Sequence, residues 1–146
     1  MPPSEKEELR GIVAGFAAAP LFAGLSERQI KRIAKFAKVR DIPPETFVVK
    51  HGEKGIGFYL ILDGQVQVRR GGKALARLGA GDFFGELALF DDRTRSADVV
   101  TVEPTRVVVL SRWEFWGFAQ QNPTVLRTIL ATMAQRLQES APSPSQ

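Results

Sequence analysis

Apolar positions change their spacing twice along this chain. Up to about Ala37 they recur every three or four places, from Val39 to Leu110 they fall into short runs or strict alternation, and after Ser111 the helical spacing returns. Ser4, followed by Glu5 and Glu7, is suited to cap a helix reaching about Ala18, with its acids at the positive end of the helix dipole. Pro20-Leu-Phe-Ala-Gly-Leu25 is a short apolar link. Ser26 and Gln29 have the spacing of a capping box. The helix they open turns Ile30, Ile33, Ala34 and Ala37 to one side and Arg28, Lys31, Arg32 and Lys35 to the other. That basic stripe reads as the wet face of an amphipathic helix, with a partner-binding surface as the rival reading.

The middle of the chain reads as strands. Pro43-Pro44 breaks any helix, and Thr46 to Lys50 is β-branched and aromatic. His51 to Gly57 is a glycine-punctuated turn, Phe58 to Leu62 a near-continuous apolar strand, and Asp63-Gly64 a turn into the alternating Gln65-Val-Gln-Val68. Gly71-Gly72 turns again into Lys73 to Leu78. Val99 to Val102 and Arg106 to Leu110 are two further strands. Many short strands joined by glycine turns predict a small antiparallel roll or barrel. Ser111 to Glu114 then opens a helix with Phe115 and Phe118 inward and Trp113 and Trp116 in the core or at an interface. Asn122-Pro123 starts a last helix, which gathers Val125, Leu126, Ile129, Leu130, Met133 and Leu137 on one broad face. That face is placed to cover the domain, to pair with a second subunit, or both.

Composition narrows the classes. The length of 146 residues and the 44% hydrophobic content suit one domain with a real core. Twenty basic against sixteen acidic residues give only a mild positive balance, which favours small anions without pointing to nucleic acid. There is no cysteine, so disulfide and thiol chemistry are excluded, in accord with a reducing cytoplasm. The lone His51 cannot build a multi-histidine metal site and belongs in a polar turn. The apolar run from Ile12 to Leu25 is broken by Gly15, Pro20 and Gly24 and preceded by acids. It is therefore too short and interrupted for a membrane span and reads as a helix and a turn packing on the domain, with a cleaved signal sequence as the lesser alternative.

The densest chemistry lies in Gly85-Glu-Leu-Ala-Leu-Phe-Asp-Asp-Arg-Thr-Arg-Ser-Ala-Asp98, preceded by Gly79-Ala-Gly-Asp-Phe-Phe84. One acid, a pivotal arginine and small residues stand where backbone could wrap a compact anion. The stretch resembles the phosphate-binding cassette of cyclic nucleotide-binding domains, the family of the bacterial cAMP receptor protein and the regulatory subunit of cAMP-dependent protein kinase. The likeness covers roughly residues 19–138. It is carried also by Leu21-Phe-Ala-Gly-Leu-Ser26, the Asp63-Gly64 turn and the Asn122-Pro123 helix start.

The resemblance implies an α+β, mainly β domain: an antiparallel β-roll, jelly-roll-like, flanked by helices at both ends. A helical segment at 1–18 would precede it and a disordered tail at 139–146 follow it. It gives Glu86 to the ribose 2′-hydroxyl and Arg95 to the cyclic phosphate, with Gly85, Leu87, Ala88, Ser96 and Ala97 as the cradle. The chemistry agrees, since an acid repels phosphate but accepts from a hydroxyl, while a guanidinium fork matches two phosphate oxygens. Arg93 is the competing arginine; Arg95 is preferred because Arg-Ser-Ala follows the glutamate at the family's spacing. Val68, Leu75 and Leu78 would line the nucleoside pocket. Arg136 would approach the cassette acid from the last helix, with Arg127 a second candidate on that helix.

The ligand expected is cAMP, with cGMP the alternative, since Ser96 does not settle the base. No cofactor, metal or catalysis is expected, nor any membrane. Partners would be the nucleotide itself and either a second copy through the last helix or an effector in trans. The chain stops at Gln146, so no helix-turn-helix DNA-binding domain is expected within it, and the helix stretch that would reach the base across a dimer dissolves at Ser140-Ala-Pro142. Three rivals stand beside this reading. A cupin-like metalloenzyme lacks its histidines. An interaction module would keep the roll without binding ligand, and a third possibility is the sensor half of a larger machine.

Overall fold

A computed structural model describes residues 4–91 and 94–140. Helix α1 (Glu5–Ala18) and helix α2 (Glu27–Ala34) flank a single 3-10 turn at Pro20–Phe22. The strands β1 (Lys38–Ile42), β2 (Phe47–Val49), β3 (Gly57–Asp63), β4 (Gln65–Arg70), β5 (Lys73–Gly79) and β6 (Phe83–Phe84) follow. A second 3-10 turn, Glu86–Leu89, leads to β7 (Asp98–Thr101) and β8 (Thr105–Ser111), and helices α3 (Arg112–Gln121) and α4 (Pro123–Ser140) close the chain.

Two four-stranded antiparallel sheets, in the orders β1-β8-β3-β6 and β2-β7-β4-β5, face each other as the expected α+β roll. The near-continuous apolar runs of β3 and β8 follow from this placing, because both faces of their sheet are covered. Phe58, Leu60, Val108 and Leu110 point into a core shared with α1, α2, α3 and α4. Tyr59, Ile61, Val107 and Val109 point the other way, into the roll interior with Val66 and Val99. In the second sheet β4 buries Val66, and β5 is exposed from Lys73 to Arg77.

The helical core is an aromatic cluster. Phe58 meets Phe16 and Phe22 edge-on at 5.2 and 5.6 Å between centroids, and Phe115 joins it from α3. The caps fall where the sequence places them: Ser4 Oγ accepts from Glu7 N–H, and Ser26 and Ser111 each form a full capping box. α1 is further held by Arg106 on β8. Its guanidinium donates to Glu8 at 3.0 and 3.1 Å and to Asp41 on β1 at 2.8 and 2.9 Å.

Three features depart from the sequence reading. The change of spacing at Val39 marks a strand, β1, which is short and exposed on alternate positions and so carries little apolar signal. Phe83-Phe84 is a two-residue strand paired to Leu60 and Tyr59. α4 runs through Ser140, so Glu139 and Ser140, expected in the tail, are helical, and residues 141–146 lie outside the described residues. The broad face of α4 also splits. Val125 and Ile129 are buried and Leu126 and Met133 pack partly, while Leu130 and Leu137 are exposed.

Candidate functional site

Gly85 ends β6 with φ +81°, a left-handed turn that a glycine makes without strain. It starts the 3-10 turn Glu86–Leu89. Glycine is needed here for space as well: a Cβ would lie 2.5 Å from Gly57 O and 2.7 Å from Arg95 Nη2. Ala88 and Leu89 are buried beneath the turn, whereas Leu87 is 62% exposed at its tip.

Arg95 sits in a sleeve of glycines. Its Nη2 donates to Gly57 O at 2.9 Å, and a Cβ on Gly55 would lie 2.6 Å from its Nε. Its backbone is clamped to the same loop, with Arg95 N–H donating to Glu53 O and Gly52 N–H donating to Arg95 O. The Gly52–Gly57 segment, legible in the sequence as a turn, is the wall that positions the arginine. Arg95 Nε is buried without a hydrogen-bond partner. Among the described residues no carboxylate forms an ion pair with this guanidinium. Burial lowers its pKa, opposed by the Tyr59 hydroxyl, whose own pKa burial raises while Arg95 pulls it down. A desolvated cation with an open donor is costly unless an anion completes it.

Glu86 is arranged differently. Its Oε2 accepts a long 3.4 Å hydrogen bond from Leu21 N–H in the first 3-10 turn. Burial raises its carboxyl pKa, while the Leu21 N–H and the charge of Arg136 on α4 lower it. The charge of Arg136 is the smallest of these three influences on Glu86. Arg127 is exposed and forms no ion pair among the described residues. Arg93 lies outside the described residues.

The remaining expected residues divide. Ser96 is exposed, its carbonyl held by Arg70 Nε at 3.0 Å, and Ala97 is half-buried beside it. Val68 and Leu78 pack on the roll-interior cluster that includes Tyr59, which places them on the side from which Arg95 is felt. Leu75 is 51% exposed, is the β5 residue skipped by the register shift in the β4–β5 ladder, and does not join that cluster. Arg95, Ser96, Leu87, Ala88 and Phe90 line a cleft of about 590 Å³, and Met133 of α4 forms its far wall.

Several residues of the site are absent from the sequence reading. Met133 counts there only as part of a helix face. Trp116 Nε1 donates to Leu89 O at 2.6 Å and Arg112 Nη1 to Asp91 O at 3.3 Å, so α3 holds the carbonyls that end the cassette turn. The Phe90 ring stands edge-on to Phe115 and Trp116. A tryptophan two positions past a capping box, with an indole N–H needing a partner when buried, is the signal available for this. Trp113, by contrast, is exposed. Among the described residues no cluster of His, Cys, Asp and Glu could hold a metal, and no helix is long and apolar enough to cross a membrane.

Residues 39–122 match the family model described as the cyclic nucleotide-binding domain. The chain is 33% identical over 127 residues to the cyclic AMP receptor protein of Thermus thermophilus, covering 84% of this chain and 59% of that one. It is 34% identical over 134 residues to the Pycsar effector protein XpPycTIR of Xanthomonas perforans, covering 91% and 44%. It thus spans about half the length of these relatives. The crystal structure of the N-terminal domain of a transcriptional regulator from Streptomyces coelicolor A3(2) superposes with a TM-score of 0.80 over 86% of this chain and 92% of that one, a likeness of fold at 23% identity. With the family model matching more than half of its length, this chain belongs to the cyclic nucleotide-binding domain family.

Proposed function

We propose that this chain binds a cyclic nucleotide, cAMP in first place and cGMP as the alternative, and reports its occupancy through α4. The observation that carries the reading is Arg95: a buried guanidinium with an unpartnered Nε, packed against Gly55 and Gly85, beneath a turn that begins with a left-handed glycine. A cyclic phosphodiester keeps one negative charge at any ordinary pH. It would meet the planar donors of Arg95 and the N–H groups of the cradle formed by Gly85, Leu87, Ala88, Ser96 and Ala97. The ribose hydroxyl would donate to Glu86. Val68 and Leu78, and Leu75 at the rim, would contact the nucleoside. That a relative of similar sequence is named a cyclic AMP receptor protein supports cAMP as the first choice.

Signal transmission follows from where Glu86 stands. Its carboxylate is engaged by Leu21 N–H and sits in the field of Arg136, so it links the cassette to the first 3-10 turn and to α4. α4 packs on the same region at close range: a Cβ on Gly24 would lie 2.9 Å from Thr132 Oγ1. A ribose that draws Glu86 away from Leu21 weakens one arrangement of α4 relative to another, which is the differential affinity that a ligand-driven shift requires. The process is a binding equilibrium and not a catalytic cycle. A cytoplasmic setting fits a sensor of this kind and a chain without cysteine.

Calorimetric titration with cAMP, cGMP and 5′-AMP tests the reading. Saturable binding of a cyclic form, with 5′-AMP much weaker, is expected. Equal binding of 5′-AMP, or no binding of any cyclic nucleotide, would remove it.

A further inference from the structure

α1 has two working faces, and only one of them is used within the domain. Ile12, Gly15 and Phe16 pack on the sheet, so tightly that a Cβ on Gly15 would run into the Leu60 side chain. The other face carries Lys6, Leu9, Arg10, Val13, Ala14 and Ala17 at helical spacing. With Leu25 from the link and Glu27, Ile30 and Lys31 from α2, it forms a groove of about 640 Å³.

Its chemistry is specific. The floor is apolar, formed by the buried Val13, Leu25 and Ile30, and Leu9 is 41% exposed at the rim. Ala14 and Ala17 leave room for another backbone to come close. The rim is basic. Lys6 and Arg10 are one turn apart on α1 and have no ion pair among the described residues, and Lys31 stands on α2 with only an exposed contact to Glu27 at 3.3 Å. The basic stripe of α2 is thereby divided: Arg32 lies over the Phe118 ring on the α3 side, while Lys31 faces the groove. The whole surface is preformed, because the Glu8–Arg106–Asp41 cluster fixes α1 to the roll.

We propose that this groove docks an acidic amphipathic helix of a partner protein. From Lys6 to Ala17 the α1 face is about 16 Å long at 1.5 Å per residue, which matches three turns of a partner carrying apolar anchors at i, i+3 or i+4, and i+7. Acidic residues flanking those anchors complement Lys6, Arg10 and Lys31. A second copy of this chain fits poorly. The exposed leucines of its α4 are accompanied by two cations, Arg127 and Arg136, against one acid, Glu139, so the basic rim repels that face on balance, and residues 141–146 contain no acid. The site is separate from the cassette and stands whether or not a nucleotide binds there.

The test is selection from a helical-peptide display library on the intact protein, followed by fluorescence anisotropy with the synthetic winning peptide. Enriched sequences should pair anchors three or four apart with Asp or Glu. Binding should weaken with salt and fall at least about tenfold in the double variant Lys6→Glu, Arg10→Glu. Ala17→Trp, which fills the groove without adding charge, should fall similarly. Both variants should keep the circular dichroism spectrum and melting temperature of the parent, since all three positions are exposed. No enrichment, enrichment of neutral or basic sequences, or indifference to charge reversal would overturn the proposal. So would light scattering that shows dimers sensitive to Ala17→Trp, or binding to anionic lipid vesicles that displaces the peptide.

Discussion

Arg95 and Glu86 stand at two ends of one cassette and are held in contrasting ways. Arg95 is fixed by its backbone to Gly52 and Glu53, by its side chain to Gly57 O, and by glycines on either side that leave its guanidinium the only space it can occupy. Glu86 has, among the described residues, one long hydrogen bond from Leu21 N–H, and it feels Arg136 on a different helix. On the proposed function the arginine end is a prebuilt anion anchor, a guanidinium whose charge no described carboxylate neutralises by an ion pair. The acid end is already in use and has to exchange partners. On this reading affinity resides mainly with Arg95, and the response of the fold resides with Glu86.

Removing the anchor should have the largest effect. Arg95→Met is expected to weaken cyclic nucleotide binding by about 2–5 kcal/mol, roughly thirtyfold to several thousandfold, measured by calorimetry. The ligand-free protein should melt higher, because a desolvated cation without a partner is replaced by an apolar chain of similar reach. Loss of affinity together with loss of stability would instead make Arg95 a structural residue. Gly85→Ala comes next. It places a Cβ at positive φ, costing about 1–2 kcal/mol, and pushes that Cβ against Gly57 O and the guanidinium. Lower stability and weaker binding should appear together, and a crystal structure should show the Arg95 side chain displaced.

Glu86→Gln should cost less, about tenfold in affinity, because the amide oxygen still accepts from a hydroxyl. Its clearer signature is in pH. Burial raises the Glu86 pKa above 4.5 in the folded protein, so its contribution to stability is complete below the ordinary carboxylate pKa and is lost as pH rises through the raised value. Ribose recognition is stronger with the ionised form, so affinity should run the opposite way and fall as pH drops through that raised pKa. The phosphodiester stays charged across this range. Both profiles should flatten in Glu86→Gln; an unchanged affinity profile would place the titrating group elsewhere.

The same contrast separates what the sequence discloses from what it does not. The Arg95 end is legible through a resemblance, because Gly85, Glu86 and Arg-Ser-Ala occur close together in the chain at the spacing of the cyclic nucleotide-binding family. The strands are legible where one face meets the core and the other meets water, as at Gln65 to Val68. β1 and Phe83-Phe84 are not, since one is short and mostly exposed and the other makes only two pairs. The partners of Glu86 are also hidden: Leu21 lies 65 residues away and contributes a backbone N–H, which no side-chain motif can announce. Met133 reads as one more apolar position on α4, and only the packing shows that it faces the cleft.

The smallest expected effect lies in the support beneath both ends. Trp116 Nε1 donates to Leu89 O at 2.6 Å, closing the 3-10 turn that begins at Glu86, and its ring packs edge-on against Phe90. Trp116→Phe keeps most of the ring contact and deletes the donor, leaving the Leu89 carbonyl without it. A loss of about 1 kcal/mol in unfolding free energy is expected from denaturant titration. Nucleotide affinity should change only a few-fold, because the Arg95 sleeve is built from β3 and the loop before it and does not depend on α3. If Trp116→Phe weakened binding as much as Arg95→Met, the anchor would not be independent of the turn. The division between a fixed arginine and an exchangeable acid would then have to be replaced by a single cooperative cassette.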